Sequence, residues 1–291
     1  MIAEFAPAKI NLYLHVGPLR RDRLHDLRSL FAFVGDGDRI LAAAAPDISL
    51  KLEGPFAAML AREDVRRNLV CRAAMALRQY AGVRDGAAMV LEKNLPIASG
   101  IGGGSADAAA ALRALVRLWN LEISPADLRR IAFRLGADVP ACLDAAPVFV
   151  GGAGETISAG PRLAPLHATL VNPRVVMPTG PIFRAFDAQN RAPAAPAFDI
   201  ARPATISGAL QMLDATRNDL EPHAIRRAQV VGDVVRFLKA SPGALGARMS
   251  GSGATVFALY ASATAAERAA RASRARGWWA TSAPILRGSS S

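Results

Sequence analysis

The chain has 291 residues, 52% hydrophobic and 20% charged, a globular composition long enough to bury a core without disulfide or metal staples. Its two cysteines, Cys71 and Cys142, form no CxxC pair, which argues against a disulfide framework or a zinc site, and no apolar run is long enough for a membrane span. A net charge of +11, from 35 Lys+Arg against 24 Asp+Glu, suits an anionic ligand, but the basic residues are dispersed rather than set in a stripe with aromatics, so no nucleic-acid partner is expected.

The N-terminus lacks the basic-then-apolar layout of a signal peptide, and a cytoplasmic protein is expected. Residues 8–16 alternate apolar and polar side chains, which predicts a half-buried strand. Short apolar runs at 29–34, 38–42, 48–53 and 87–92 predict further strands. Between the last two, Leu69, Ala73, Ala76, Leu77 and Tyr80 fall at helical spacing, predicting a helix over 65–81 with Asn68 near its start. A stronger helix is predicted over 105–119, and a third over 125–135, with Ser124 as N-cap, Pro125 in the first turn, Asp127 at the capping-box position and Gly136 at the exit.

Glycines at 151, 152 and 154 and prolines at 161 and 165 punctuate the middle, after which 169–176 reads as a strand. The Ala- and Pro-rich stretch 190–203 reads as a loop. Helical patterns return at 206–212 and 224–239, then a glycine-rich turn at 249–253 leads to a strand over 254–260. A helix over 263–276 and a strand near 278–286 close the chain. Strands and helices mix without strict alternation, which favours an α+β fold over a doubly wound parallel sheet.

Chemistry concentrates first in the segment Pro96-Ile97-Ala98-Ser99-Gly100-Ile101-Gly102-Gly103-Gly104-Ser105-Ala106-Asp107, between a predicted strand and the strongest helix. Glycines admit positive φ and let backbone N–H groups approach a ligand, and a helix start supplies further unpaired donors and the positive dipole end. Such a segment suits a di- or triphosphate. It is not a Walker A loop, since no Gly-Lys-[Ser/Thr] closes it, nor a dinucleotide fingerprint, since the third glycine position falls on Ser105. Ser99 and Ser105 could add hydroxyl donors or a magnesium ligand. Lys9, at a strand start, and Asp138, just past a helix, are the other two candidates. Phosphoryl transfer to an alcohol needs a carboxylate to take the hydroxyl proton and a cation to keep that carboxylate ionised.

Three ordered segments, Pro7-Ala8-Lys9-Ile10-Asn11-Leu12, Pro96–Asp107 and Ser250-Gly251-Ser252-Gly253-Ala254-Thr255, resemble the three motifs of the GHMP kinases. The first motif with His25, together with Gly136-Ala137-Asp138-Val139-Pro140 and Arg217-Asn218-Asp219-Leu220-Glu221, resembles the branch that phosphorylates a cytidine diphosphate alcohol in isoprenoid precursor synthesis. The resemblance implies a two-domain α+β architecture, with a ribosomal protein S5 domain 2-like N-terminal domain (1–158) and a ferredoxin-like C-terminal domain (159–291). It implies ATP and magnesium as cofactors, Asp138 as general base and Lys9 as its electrostatic partner. The residues 96–106 would hold the ATP phosphates, Asn68 and Lys93 would border the adenine, and Asn11, His25, Thr179 and Phe183 would surround the substrate. A monomer or weak homodimer is expected, and the metal ligands are left open.

One segment departs from the family pattern. Asp22-Arg23-Leu24-His25 stands where the family has Asp-Gly-Tyr-His. Leu24 offers no aromatic face, so about 1–3 kcal/mol of base stacking is expected to be missing, and Arg23 is expected to remove an easy positive-φ turn. Two other readings stay open from sequence: a sister kinase of homoserine, mevalonate or a sugar, and a basic RNA-binding module.

Overall fold

The computed structural model describes residues 1–61, 64–189 and 203–287, so the predicted loop over 190–203 lies, but for Pro203, outside the described residues. The chain forms two compact units, each assembled from separate stretches. The first takes residues 1–8, 37–97 and 102–144; the second takes 9–36, 98–101 and 145–291. Strands β1 (Ile2–Leu19) and β2 (His25–Ala45) contribute residues to both.

In the first unit, β2 pairs antiparallel with β4 (Gly86–Glu92), from Arg39 opposite Glu92 to Ala45 opposite Gly86. Strand β3 (Ser49–Glu53) pairs with β4 in parallel. A short helix α1 (Ala57–Leu60) precedes α2 (Leu69–Ala81), α3 (Gly103–Leu118) and α4 (Pro125–Leu135), and α2 packs against both of the latter. Helix α3 buries Ala106, Ala108–Ala111 and Ala114 together with Leu112 and Leu115. Alanines bring helices close without side-chain entropy loss and favour the helix itself. The expected caps of α4 are present: Ser124 Oγ accepts from Asp127 N at 3.1 Å, and Pro125 occupies the first turn.

The second unit carries β5 (Val148–Gly152) and β6 (Thr156–Ala159), a hairpin whose first strand pairs with β2 from Leu27 to Phe31. It continues with β7 (His167–Asn172), α5 (Thr179–Asp187), α6 (Ile206–Ala215), α7 (Glu221–Arg227) and α8 (Gln229–Lys239). Strands β8 (Ala244–Met249) and β9 (Val256–Tyr260), helix α9 (Ala263–Arg274) and β10 (Trp279–Leu286) complete it. The strands β10-β7-β9-β8 form an antiparallel sheet against which α8 and α9 pack. That order with β-α-β-β-α-β connectivity is the ferredoxin-like plan. Its core includes Val171, Val234, Leu238, Val256, Tyr260 and Ala270.

Several expectations need correction. Residues 29–34 and 38–42 belong to one strand, β2, not two. Gly37 lies inside it, where a Cβ would fall 2.1 Å from the Ala6 carbonyl oxygen, so the glycine permits close strand contact. The predicted helix over 65–81 starts at Leu69, because Asn68, at φ −60° and ψ 135°, ends a 3₁₀ turn over Val65–Arg67 and caps α2 through Val70 N. The stretch 224–239 is two helices, parted at Ala228 (φ −145°) with no Pro or Gly to signal it. The strand predicted over 169–176 ends at Asn172, whose Oδ1 accepts from Arg174 N at 2.7 Å and turns the chain.

Candidate active site

In the second unit, the first and third sequence motifs meet residues 99–101 of the glycine segment. Lys9 N donates to the Ile101 carbonyl at 2.9 Å, and Thr255 N donates to the Ser99 carbonyl at 3.1 Å. Ser250 Oγ donates to the Gly100 carbonyl at 2.8 Å and accepts from Asn11 N at 3.1 Å. The side chain of Asn11 accepts from Lys9 Nζ at 3.1 Å and donates to Ser29 Oγ at 2.9 Å. Lys9 is buried, and its ammonium also lies 4.1 Å from the centre of the Phe31 ring, a cation–π contact. The lysine backbone is thus fixed by residue 101, and its ammonium by Asn11 and Phe31. Gly100 (φ 78°) is required here, since a Cβ would fall 2.5 Å from the Ser250 carbonyl oxygen.

In the first unit, the rest of the glycine segment opens α3. Gly102, in the left-handed region at φ 64°, is the N-cap, and no side chain caps the helix. The amides of its first turn, over Gly103, Gly104 and Ser105, are therefore available to an anion. Beneath this turn, Lys93 is buried between two carboxylates, donating to Asp38 Oδ2 at 2.5 Å and to Asp107 Oδ2 at 2.7 Å. Asp38 Oδ1 also accepts from Asn94 N and Leu95 N. A Cβ on Gly103 would lie 3.0 Å from Lys93 Nζ, so glycine lets the helix start rest on the lysine. Burial, with the Asp38 charge adding to it, pushes the Asp107 carboxyl up to about 7 despite the Lys93 ammonium; Asp107 Oδ1 has no hydrogen-bond partner among the described residues. Lys93 is raised because the attraction of two carboxylates outweighs desolvation.

Of the remaining expected nucleotide-site residues, Asn68 caps α2 through Val70 N at 2.9 Å, and neighbouring Leu69 Cδ1 lies 3.5 Å from where a Gly104 Cβ would be. Starts of α2 and α3 therefore adjoin. Pro96 and Ala106 are buried, Ile97 and Ser105 partly buried, and Ala98 is exposed at φ 50°. Asp138 is partly buried in the turn between α4 and a 3₁₀ turn over Pro140–Cys142, where Val139 N donates to the Gly136 carbonyl.

The expected substrate residues gather in the second unit. The buried His25 ring stacks on Phe183 with centroids 5.3 Å apart and meets the edge of Phe186 at 5.8 Å. Its Nδ1 faces the Gly17 carbonyl at 3.0 Å and its Nε2 faces Asp187 Oδ1 at 3.1 Å. Thr179 shares a 2.9 Å hydrogen bond with Ser252 Oγ. Leu24 is 52% exposed. Arg23 nevertheless adopts φ 65°, correcting the expectation that arginine would abolish the left-handed turn; Leu24 N donates to Asp22 Oδ1 and Arg20 N to the Leu24 carbonyl around it.

Sequence reasoning missed Asp38, Asp107 as a Lys93 partner, Phe31, Ser29 and Asp187. Only Asp107 lay inside a motif; the others become visible through contacts across tens to hundreds of residues. Among the described residues, no helix is long and apolar enough to cross a membrane, and no group of three or more His, Cys, Asp or Glu is placed to hold a metal ion.

Comparison with known proteins agrees with this assembly. The GHMP kinases N terminal domain matches residues 68–152 and the GHMP kinases C terminal domain matches residues 194–277. The 4-diphosphocytidyl-2-C-methyl-D-erythritol kinase of Hyphomonas neptunium is 46% identical over 96% of this chain and 94% of its own. That of Rhizorhabdus wittichii is 47% identical, covering 95% and 92%. A crystal structure of 4-(cytidine 5'-diphospho)-2C-methyl-D-erythritol kinase superposes with a TM-score of 0.81 at 32% identity, covering 99% of this chain and 100% of that one. The chain belongs to the GHMP kinase family and is an ATP-dependent small-molecule kinase.

Proposed function

We propose that the protein transfers the γ-phosphoryl group of ATP to the C2 hydroxyl of 4-diphosphocytidyl-2-C-methyl-D-erythritol, a step of the non-mevalonate route to isoprenoid precursors. The observation that carries this reading is the convergence of the Lys9 and Ser250 motifs on Ser99–Ile101, next in sequence to the uncapped start of α3. In this reading Asp138 takes the proton of the attacking hydroxyl, and Lys9 favours the ionised carboxylate and offsets developing charge. The amides at the start of α3 hold the ATP phosphates, with Asn68 and Lys93 near the adenine. Asn11, His25, Thr179 and Phe183 bind and orient the cytidine diphosphate alcohol.

Magnesium fits the donor set. That ion keeps several waters and binds substrate phosphates with few protein ligands, and a Ser hydroxyl beside bound phosphates can be one of them, so the partly buried Ser105 hydroxyl in the first turn of α3 suits it. When bound it neutralises phosphate charge. Protein groups still fix the alcohol and receive its proton.

Purified protein given ATP and the cytidine diphosphate alcohol should release ADP and yield the monophosphorylated product by mass spectrometry. Asp138→Ala should lower kcat by at least about a hundredfold, the lower end of general-base contributions. Transfer to homoserine or mevalonate but not to the cytidine substrate would refute the proposal.

A further inference from the structure

We propose that Asp187 determines the base specificity of the substrate site: one carboxylate oxygen holds His25, and the other accepts a hydrogen bond from an exocyclic amine of the nucleobase. This rests on the reading of the chain as a kinase of a cytidine diphosphate alcohol. Phe183 and Asp187 are four residues apart on α5, so the stacking ring and the carboxylate share one helix face. His25 lies against both, 5.3 Å from the ring centroid of Phe183 and 3.1 Å from Asp187 Oδ1.

Both nitrogens of His25 already face acceptors, Gly17 O and Asp187 Oδ1. A base edge reaching the His25 ring would have to displace one of these contacts. Asp187 differs. Its side chain is 36% exposed, and its Oδ2 has no partner among the described residues. Its charge is not explained by helix stability either, because it is the last residue of α5, where the dipole disfavours a carboxylate. No Lys or Arg among the described residues pairs with it.

A carboxylate only accepts hydrogen bonds. Cytosine carries an amine donor where uracil carries a carbonyl oxygen, and acidic side chains suit that amine. Asp187 therefore attracts the one base and repels the other.

Calorimetry with CDP and UDP tests this. The wild-type protein should bind CDP about tenfold or more tightly than UDP. Asp187→Asn, whose amide can donate to uracil, should bring the ratio close to one, and Asp187→Ala should erase the preference as well. A ratio that stays at the wild-type value in both variants, even with equal weakening of the two ligands, would leave Asp187 only a positioning role for His25 and overturn the assignment. A wild-type protein without CDP preference would also overturn it. The kinase reading is scored separately by phosphorylation of the cytidine diphosphate alcohol, so either can fail alone. Exposure of Asp187 favours folded variants, which thermal melting verifies.

Discussion

Replacing Asp107 by Asn removes the surplus charge from the buried cluster beneath α3, where one ammonium sits between two carboxylates. Burial pushes the Asp107 carboxyl from 3.8 up to about 7, so the folded state holds its proton more tightly than the unfolded one. A raised carboxyl contributes stability that is fully present below about pH 4 and is lost as pH rises through about 7. At 1.36 kcal/mol per pKa unit the loss across that window is on the order of a few kcal/mol, shared among three coupled groups. Asp107→Asn has no such loss. Urea unfolding of both proteins at pH 4.5, 5.5, 6.5 and 7.5, followed by far-UV circular dichroism, should show the variant gaining on the wild type with each step. Parallel stability profiles would refute the account of a buried carboxyl that folding makes harder to ionise. Lys93→Met, by contrast, leaves two buried carboxylates without their cation and should cost about 3–5 kcal/mol.

Gly100→Ala places a Cβ 2.5 Å from the Ser250 carbonyl oxygen at a positive-φ position, so it should lower kcat/KM for ATP and destabilise by about 2 kcal/mol; a wild-type unfolding midpoint would contradict this. Arg23→Gly relieves a left-handed arginine worth about 1–2 kcal/mol, against up to about 1 kcal/mol of added unfolded-state entropy, and should leave stability unchanged or raised by up to about 1 kcal/mol in urea titrations. Leu24→Tyr supplies an aromatic face at an exposed position and should lower the KM of the cytidine substrate at least about fivefold, from about 1 kcal/mol of stacking, whereas an unchanged KM would place Leu24 away from the base.

Legibility followed interaction range. The capping of α4 by Ser124 and the glycine-rich start of α3 were readable because the groups involved lie within a few residues, whereas Asn68 proved to cap an α2 that begins four residues later than predicted. Helix α5 was not recognised, since Pro178-Thr179-Gly180-Pro181 reads as a breaker cluster although proline is tolerated in a first helical turn. The hairpin β5–β6 was hidden in glycines read as punctuation. At the site, the motifs announced Lys9 and the phosphate segment, but not what fixes them. Asp38 reaches Lys93 across 55 residues, and Ser250 reaches Asn11 across 239, distances over which no periodicity or spacing carries information.

That last contact has a kinetic side. Asn11, which grips the Lys9 ammonium, is itself held by Ser250, near the end of the chain, while the start of α3 forms from neighbours in sequence. Contacts of such long separation require costly loop closure and form late, whereas local helical ones form early. During synthesis, a chain released before residue 250 retains the sequence of the phosphate-binding turn but lacks the clamp on its lysine. Helix content should therefore return ahead of phosphoryl transfer on refolding, and the lag between them times the arrival of the third motif.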